Sequence, residues 1–509
     1  MEVPIEMAFH VDHLLNTNST PSQVERNILQ NFILQLDEDI SHINEKILAM
    51  QSKILVLQTS RSQLLQQRKF YSRLLSPLRN LPIEIFGEIF MYATHDSPRH
   101  VLNLSAVCQL WRDAALRTPA LWSTLELVNY SAQYNMDSHI DSWIKRAHSY
   151  PLSLVIRHHE ASGFVNPVNA AIALLNNHKC RSITLEGDKS ILSILKELRF
   201  ANLDMLESFS LDPQFRCSQL SIPYSLRYAP KLKTLCLDIS IPPAFHMLSF
   251  PWRQLTSLTI LSMPDEIVVD ILRACVNLEE LIKDGDCDVL GSDDSITLNY
   301  LRKLHTLSTD NMILPSLRTP SIQDFAVKAT DSTNIHGDYI SQFIKKNGST
   351  LLKLSIAPSD DLFVKVIPYL RSLVELRLYD NNCDGNGSSV INDILYNLVV
   401  KPEMDSSDIP LPRLEALEII CHATEYNQRI FMKVIGSRWW SDEEENVRQK
   451  QRERPLSRIK RSVLLNVDTE LNVFCGDDVN LMREQGMNID YLAPFDGMDK
   501  DDFYTFSYY

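Results

Sequence analysis

Few side chains in this sequence have the types and spacing that chemistry requires. His158-His159-Glu160 offers metal-binding groups, but the run reads as strand, where adjacent residues point to opposite faces. His10-x-x-His13 sits in a start without sustained periodicity and gains no further ligand. Lys345-Lys346-Asn347-Gly348-Ser349-Thr350 holds phosphate-loop residues in the wrong order and without the upstream glycine. Gly385-Asn386-Gly387 reads as a turn, and no Gly-x-Ser-x-Gly elbow occurs. With 13 glycines in 509 residues, loops able to cradle a phosphate are scarce. These patterns point to no catalysis, no metal and no cofactor, and so to function carried by surfaces.

Bulk properties narrow the class. A formal charge of −14 argues against a nucleic-acid binder, which needs basic patches to neutralise phosphate. No run approaches the roughly 20 apolar residues of a membrane span, and Met1 to Leu15 lacks the basic-then-apolar layout of a signal peptide. The nine cysteines are scattered singly, with no C-x-x-C pair, and Cys236 and Cys421 lie in apolar strand-like runs. That usage implies a reducing compartment, cytosol or nucleus.

Three parts follow along the chain after a start, residues 1–21, read as loop or disorder. Residues 22–76 contain no Gly or Pro and form one long helix. Ile33, Leu36, Ile40, Ile43, Ile47, Met50, Ile54 and Leu57 follow the 3, 4 spacing of a coiled-coil seam, with isoleucine at every a position. Isoleucine at a is compatible with a parallel dimer, while the mixed d set leaves the number of strands open. The seam decays at Arg61 and Arg68, and its flanks (Asp39, Asn44, Lys46, Gln51, Lys53, Gln58) carry few charge matches. Homodimerisation and packing on the same chain both remain open from sequence.

From Trp122 onward an apolar-x-x-apolar-x-apolar unit recurs. It is clear at Leu206, Leu232, Leu255, Ile322, Leu351, Leu373 and Leu414, and weaker at Cys180, Leu278 and Leu304, the last two placing Lys283 and Thr309 in the third apolar slot. First positions from 180 step by 26, 26, 23, 23, 26, 18, 29, 22 and 41 residues, and Trp122-x-x-Leu125-x-Leu127 opens the series. The unit resembles the strand core of a leucine-rich repeat. The expected fold class is an α/β solenoid of irregular repeats over residues 126–493, since only Asn381 occupies the position where a regular asparagine ladder would run. Helical segments are expected at Glu266–Ala274, Tyr339–Lys346 and Asp477–Gln485, and further strands at Ser457–Val467 and Asn488–Leu492. The segments Cys383–Asp408 and Trp439–Arg454 should loop out, and Pro494–Tyr509 should be a loose tail or cap.

Between helix and solenoid, residues 77–125 include LPIEIFGEIFMYATHDSPRHVLNLSAVCQLWRDAALRTPALW. Pro82 suits a first helical turn, and Ile85, Phe86, Ile89 and Phe90 line one helical face. After a polar break at His95–Arg99, Leu104, Val107, Cys108 and Trp111 repeat that spacing as a second helix, which Thr118-Pro119 stops. Leu81-Pro82, Glu84-Ile85, Ile89-Phe90, Val107-Cys108, Trp111 and Leu121-Trp122 resemble the F-box. A helical hairpin that caps the next domain would show the same apolar surplus.

The resemblance implies docking onto the Skp adaptor, and through it cullin, in SCF-type ubiquitin ligases. The implied adaptor-binding residues are Leu81, Pro82, Ile85, Phe86, Ile89, Phe90, Leu104, Val107, Cys108, Trp111, Leu121 and Trp122. The whole arrangement resembles F-box proteins abundant in mushroom-forming fungi, which implies a substrate receptor. Action as a coiled-coil, leucine-rich scaffold outside the ligase is the alternative. For an unknown target, the position after each strand core carries Glu186, Asp212, Asp238, Asp284 and Asp310, an acidic rim interrupted by Leu261. Aspartate also favours turns at strand ends, which would produce the same series. Glu375, Arg377 and Tyr379 form a second candidate cluster.

Overall fold

The computed structural model describes residues 19–95, 97–128, 130–131, 136–158, 164–165, 167–188, 191–197, 203–213, 224–239, 245–284, 295–306, 313–327, 336–357, 365–379, 388–401, 403–405, 407–421, 428–439, 456–466, 484 and 487–492. Two compact units divide the chain, Met1–Phe86 and Gly87–Tyr509.

The first unit is dominated by one 52-residue helix, α1 (Gln23–Leu74). Its start is a capping box: Glu25 N–H donates to Ser22 Oγ at 3.4 Å, and Ser22 N–H donates to the Glu25 carboxylate at 2.6 Å. An uninterrupted run of helix-tolerant residues carries it to Leu74, and Pro77 then opens a short 3₁₀ turn, Pro77–Asn80. The eight seam residues from Ile33 to Leu57 are 46–68% exposed, so α1 buries no apolar face within its own unit.

A second helix, α2 (Ile83–Ala93), crosses from the first unit into the next. The following apolar run is two helices rather than the single one its spacing suggests. Cys108, extended at φ −161° and ψ 174°, separates α3 (His100–Val107) from α4 (Gln109–Arg117). The break lets Arg112 Nε donate to Ser105 O at 3.0 Å, folding α4 back toward α3. Gly87 permits close packing in this region: a Cβ there would lie 2.6 Å from Thr118 Oγ1.

The rest of the second unit is built on a principal sheet of fourteen parallel strands, ordered in space as in sequence, beside two two-stranded pairs, Tyr130–Ser131 with Phe164–Val165 and Ile296–Thr297 with Leu317–Arg318. The principal strands are β1 (Thr124–Leu127), β2 (Leu152–His158), β3 (Cys180–Gly187), β4 (Ser208–Pro213), β5 (Thr234–Asp238), β6 (Ser257–Leu261) and β7 (Glu280–Lys283). Then come β8 (Lys303–Thr306), β9 (Asp324–Val327), β10 (Lys353–Ile356), β11 (Glu375–Tyr379), β12 (Ala416–Cys421), β13 (Arg461–Asn466) and β14 (Asn488–Leu492). Neighbours in sequence are neighbours in space, and the strands are short, which is a leucine-rich-repeat solenoid. Helices return the chain between several strands, among them α5 (Met136–Ala147), α6 (Val168–Asn177), α7 (Ile191–Glu197), α8 (Asp265–Ala274) and α9 (His336–Asn347).

Strand alternation builds the core. Leu154, Ile183, Phe209, Leu235 and Leu258 are consecutive register partners and all buried. Strand β2, with Leu154 and Ile156 inward, is a repeat that the apolar count missed. The register also corrects the weak repeat at Leu304. Leu304 pairs with Leu281 and Phe325, so it fills the second apolar slot and Thr306, not Thr309, fills the third. The unit therefore starts at Leu301, giving steps of 23 and 21 residues in place of 26 and 18. Lys283 does occupy an inward slot and is buried.

The segment Cys383–Asp408 does not simply loop out. It contains α10 (Ser388–Leu398), whose Ile391, Ile394, Leu395 and Leu398 are buried, and α10 packs on α11 (Gln428–Arg438). Its amphipathic spacing was hidden by the polar residues on either side. The expected segments at Trp439–Arg454 and Asp477–Gln485 lie almost wholly outside the described residues, as do Asn381 and Pro494–Tyr509.

Side-chain amides and guanidinium groups satisfy backbone between repeats. Gln254 donates to the carbonyls of Ala229 and Leu232 at 2.7 and 2.8 Å, and Asn277 to Arg253 O at 2.8 Å. Buried Asn347 accepts from Thr319 N–H at 2.9 Å and donates to Phe343 O at 3.0 Å. Arg438, fully buried, donates to the carbonyls of Leu398, Pro410 and Leu411. Removing such a partner strands buried backbone groups. Asn347→Leu should destabilise the solenoid by about 1–3 kcal/mol, read as a lower urea midpoint with unchanged m, while the exposed Lys345→Leu should leave the midpoint within error.

Candidate functional site

The implied adaptor-binding residues divide into a surface set and a core set. In the first unit, Leu81 is half-buried, Pro82 is exposed, Ile85 is 44% exposed and Phe86 is buried. In the second unit, Ile89 is 44% exposed, Val107 60% exposed and Cys108 exposed, with Leu104 and Trp111 half-buried. Phe90, Leu121 and Trp122 are buried and have no surface to offer. They build the support instead: the Phe90 ring lies 5.1 Å from that of Trp111.

Trp122 joins the helical segment to the first repeats. Its indole N–H donates to Ala115 O at 2.8 Å, and its ring meets Trp143 of α5 edge-on at 4.9 Å. The Arg146 guanidinium lies 4.5 Å above it, and Trp143 N–H donates to Thr124 O at 2.9 Å. Sequence spacing alone missed further exposed apolar residues on these helices: Met91, Tyr92, Leu102, Leu110 and Leu116. They lie off the two apolar faces, and their signal was that α2 and α3 carry more apolar residues than one face can bury.

On the solenoid, Glu186 and Asp212 are register partners, as are Asp238 and Leu261, and all four acidic residues Glu186, Asp212, Asp238 and Asp284 are half-buried. Asp310 lies outside the described residues, and the corrected register removes it from this row. The rim does not begin as pure acid. Arg157, the partner of Glu186 on β2, bonds to Glu186 at 2.8 Å and also pairs with Glu126 on β1. The second cluster is internally matched too. Arg377 reaches Glu418 at 2.5 Å and Glu375 at 3.7 Å, Lys353 reaches Glu375 at 2.9 Å, and Arg461 reaches Glu418 at 3.2 Å. Tyr379 is only 8% exposed and packs with Ile420 and Ala357, so it is part of a small apolar cluster rather than a free anchor.

One row of outward positions on the early strands consists of small hydroxyls. Ser153, Ser182, Ser208, Thr234 and Ser257 follow one another in register. Reading the x positions of the repeat, rather than the apolar ones alone, exposes this row.

Of the groups that suggested chemistry, only His158 and Lys345–Thr350 lie among the described residues. His158 is buried with Nε2 3.9 Å from Asp188, while His159, Glu160, His10 and His13 lie outside the described residues. Gly187 beside it has φ +141°, and a Cβ there would fall 1.9 Å from His158 O, so only glycine fits. The phosphate-loop types at Lys345–Thr350 form the end of α9 and a 3₁₀ turn, with Asn347 bonded as above. Among the described residues no group of three or more His, Cys, Asp or Glu is placed to hold a metal ion. Burial pushes the Cys180 and Cys275 thiols up to about 12, leaving roughly one thiolate in 10⁴ or fewer at neutral pH. Maleimide at pH 7.5 should therefore modify Cys108 rapidly and Cys180 and Cys275 only after unfolding, as read by peptide mass spectrometry.

Residues 78–127 match the model of the F-box-like family. Among curated proteins none matches the chain. Among solved structures, the chain is similar to the leucine-rich repeat-containing protein LegL7 from Legionella pneumophila. The two are 13% identical, the match covers 62% of this chain and 98% of that one, and the TM-score is 0.31. The repeat architecture rests on the parallel sheet itself. No helix among the described residues is long and apolar enough to cross a membrane.

Proposed function

We propose that this protein is a non-catalytic substrate receptor, in which the F-box-like segment holds a Skp-type adaptor and the leucine-rich sheet holds a target protein. The observation that carries the reading is the exposure of Ile89, Val107 and Cys108, with Met91, Tyr92, Leu102 and Leu110, within the F-box-like match. That much apolar surface on about forty residues is a docking surface in want of a partner. In the same segment Phe90, Leu121 and Trp122 are buried and anchor the helices that carry them. Linkage through the adaptor to cullin would raise the effective concentration of target lysines near a charged ubiquitin carrier. The site of action on this reading is cytosolic or nuclear.

Co-expression with the host's Skp adaptor should give a stoichiometric complex on size exclusion, with Cys108 protected from maleimide. Ile89→Asp with Val107→Asp should abolish co-elution while leaving the chain folded, since both side chains are exposed. A folded native chain that ignores the adaptor would remove the ligase reading and leave a scaffold. Adaptor binding without cullin would confine the protein to an adaptor-only complex.

For the target, the half-buried acids Asp212 and Asp238 stand near the ends of β4 and β5, whose outward positions include Ser208, Ser210 and Thr234. A target segment that is basic and narrow fits the early strands best, since opposed potentials speed encounter and set register. Asp212→Lys with Asp238→Lys should weaken capture of Lys/Arg-rich peptides about tenfold or more without changing adaptor binding. Unchanged capture would show that the acids are only strand-end turn residues.

A further inference from the structure

We infer that α1 pairs with α1 of a second copy of this chain as an antiparallel coiled coil, so that the two chains leave it at opposite ends. This does not rest on the adaptor reading. The starting observation is that all eight seam residues from Ile33 to Leu57 lie open to solvent along a 52-residue helix. A strict apolar heptad from Ile33 to Leu57 is a surface made for another helix. The remaining question is which orientation the sequence of α1 permits.

Extending the heptad beyond the apolar block puts Arg26, Arg61 and Arg68 at a positions, and Leu29 and Leu64 at d. In a parallel, in-register pair each a residue meets its own copy. Arg26, Arg61 and Arg68 would then face Arg26, Arg61 and Arg68 across the seam, three like-charged layers in a partly desolvated interface. The flanking g and e positions would give Asp39–Asn44, Lys46–Gln51 and Lys53–Gln58, with no ion pair among them.

An antiparallel pair sets a against d instead. With Ile47 opposite Ile43 of the second copy, Ile33 meets Leu57, Ile40 meets Met50 and Ile54 meets Leu36. Every seam residue thus meets another seam residue. Arg61 then lies against Leu29 and Arg26 against Leu64, where a long aliphatic stem can cover leucine while the charged head reaches water. Sliding one heptad either way sets Arg26 against Leu57 or Arg61 against Leu36. On one flank, Asp39 comes within about 3 Å in height of Lys53 of the second copy, twice by symmetry, against a single Lys46–Lys46 contact. The symmetry centre falls near Glu45, so the two helix ends at Leu74 would be about 85–90 Å apart at 1.5 Å per residue.

The full-length chain at tens of micromolar should sediment at twice its 58.4 kDa mass. None of the nine native cysteines lies in α1, so disulfide trapping reads the orientation directly. Chains carrying Leu36→Cys and Ile54→Cys, mixed and oxidised, should give the mixed 36–54 disulfide, while Leu36→Cys alone should give no 36–36 product. Because seam cysteines can loosen the pair, charge swaps supply a second readout. Asp39→Lys or Lys53→Asp alone should weaken dimerisation roughly tenfold, and the double swap should restore it. A monomer at these concentrations, a 36–36 disulfide, or no rescue in the double swap would each overturn the inference.

Discussion

Each parallel strand in this protein is four to eight residues long in its principal sheet and can bury its inward side chains only against its neighbours in the stack. Register is therefore the constraint on which the rest depends. Leu235 is fully covered because Phe209 and Leu258 flank it at the same height. A slip of one residue would turn that row outward and bring Thr234 and Cys236 into the core. The same register that buries the leucines lines up the outward hydroxyls and the acidic positions, so the pattern of the outward face is a by-product of the core.

Several polar side chains that enter this stack bond to backbone from neighbouring segments. Asn347 and Arg438 satisfy buried backbone from neighbouring segments, and Gln254 does so at a half-buried turn. These contacts take over the linking role that an asparagine ladder plays in regular repeats. They also explain why strand spacing can vary along the chain without opening the sheet. A staple placed by a long side chain tolerates a connection a few residues longer or shorter, whereas a fixed ladder does not.

The F-box-like segment follows a different economy. It has too few residues to bury its own apolar content. It resolves this by fixing Trp122 between Ala115, Trp143 and Arg146, and leaves Ile89 and Val107 outside. The exposed apolar residues are thereby carried on a segment whose buried Trp122 is tied to the first repeats.

Much of this was legible in the sequence, for physical reasons that differ by element. The absence of Gly and Pro and the strict heptad determined α1, because helix formation is local once a long segment offers no breaker. The apolar-x-x-apolar-x-apolar count determined the repeats, because strand alternation writes burial directly into residue order; Asn488–Leu492 was read to the residue. Only tertiary structure decided the frame of the Leu301 repeat, since Leu304 and Leu307 are equally apolar and only pairing with Leu281 and Phe325 chooses between them. It alone decided that Cys108 breaks one apolar run into two helices, and that Phe90 and Trp122 are core while Ile89 and Val107 are surface. Spacing shows which residues share a face. Which of those faces finds neighbours depends on contacts between residues distant in the chain, and these are not written in any local window.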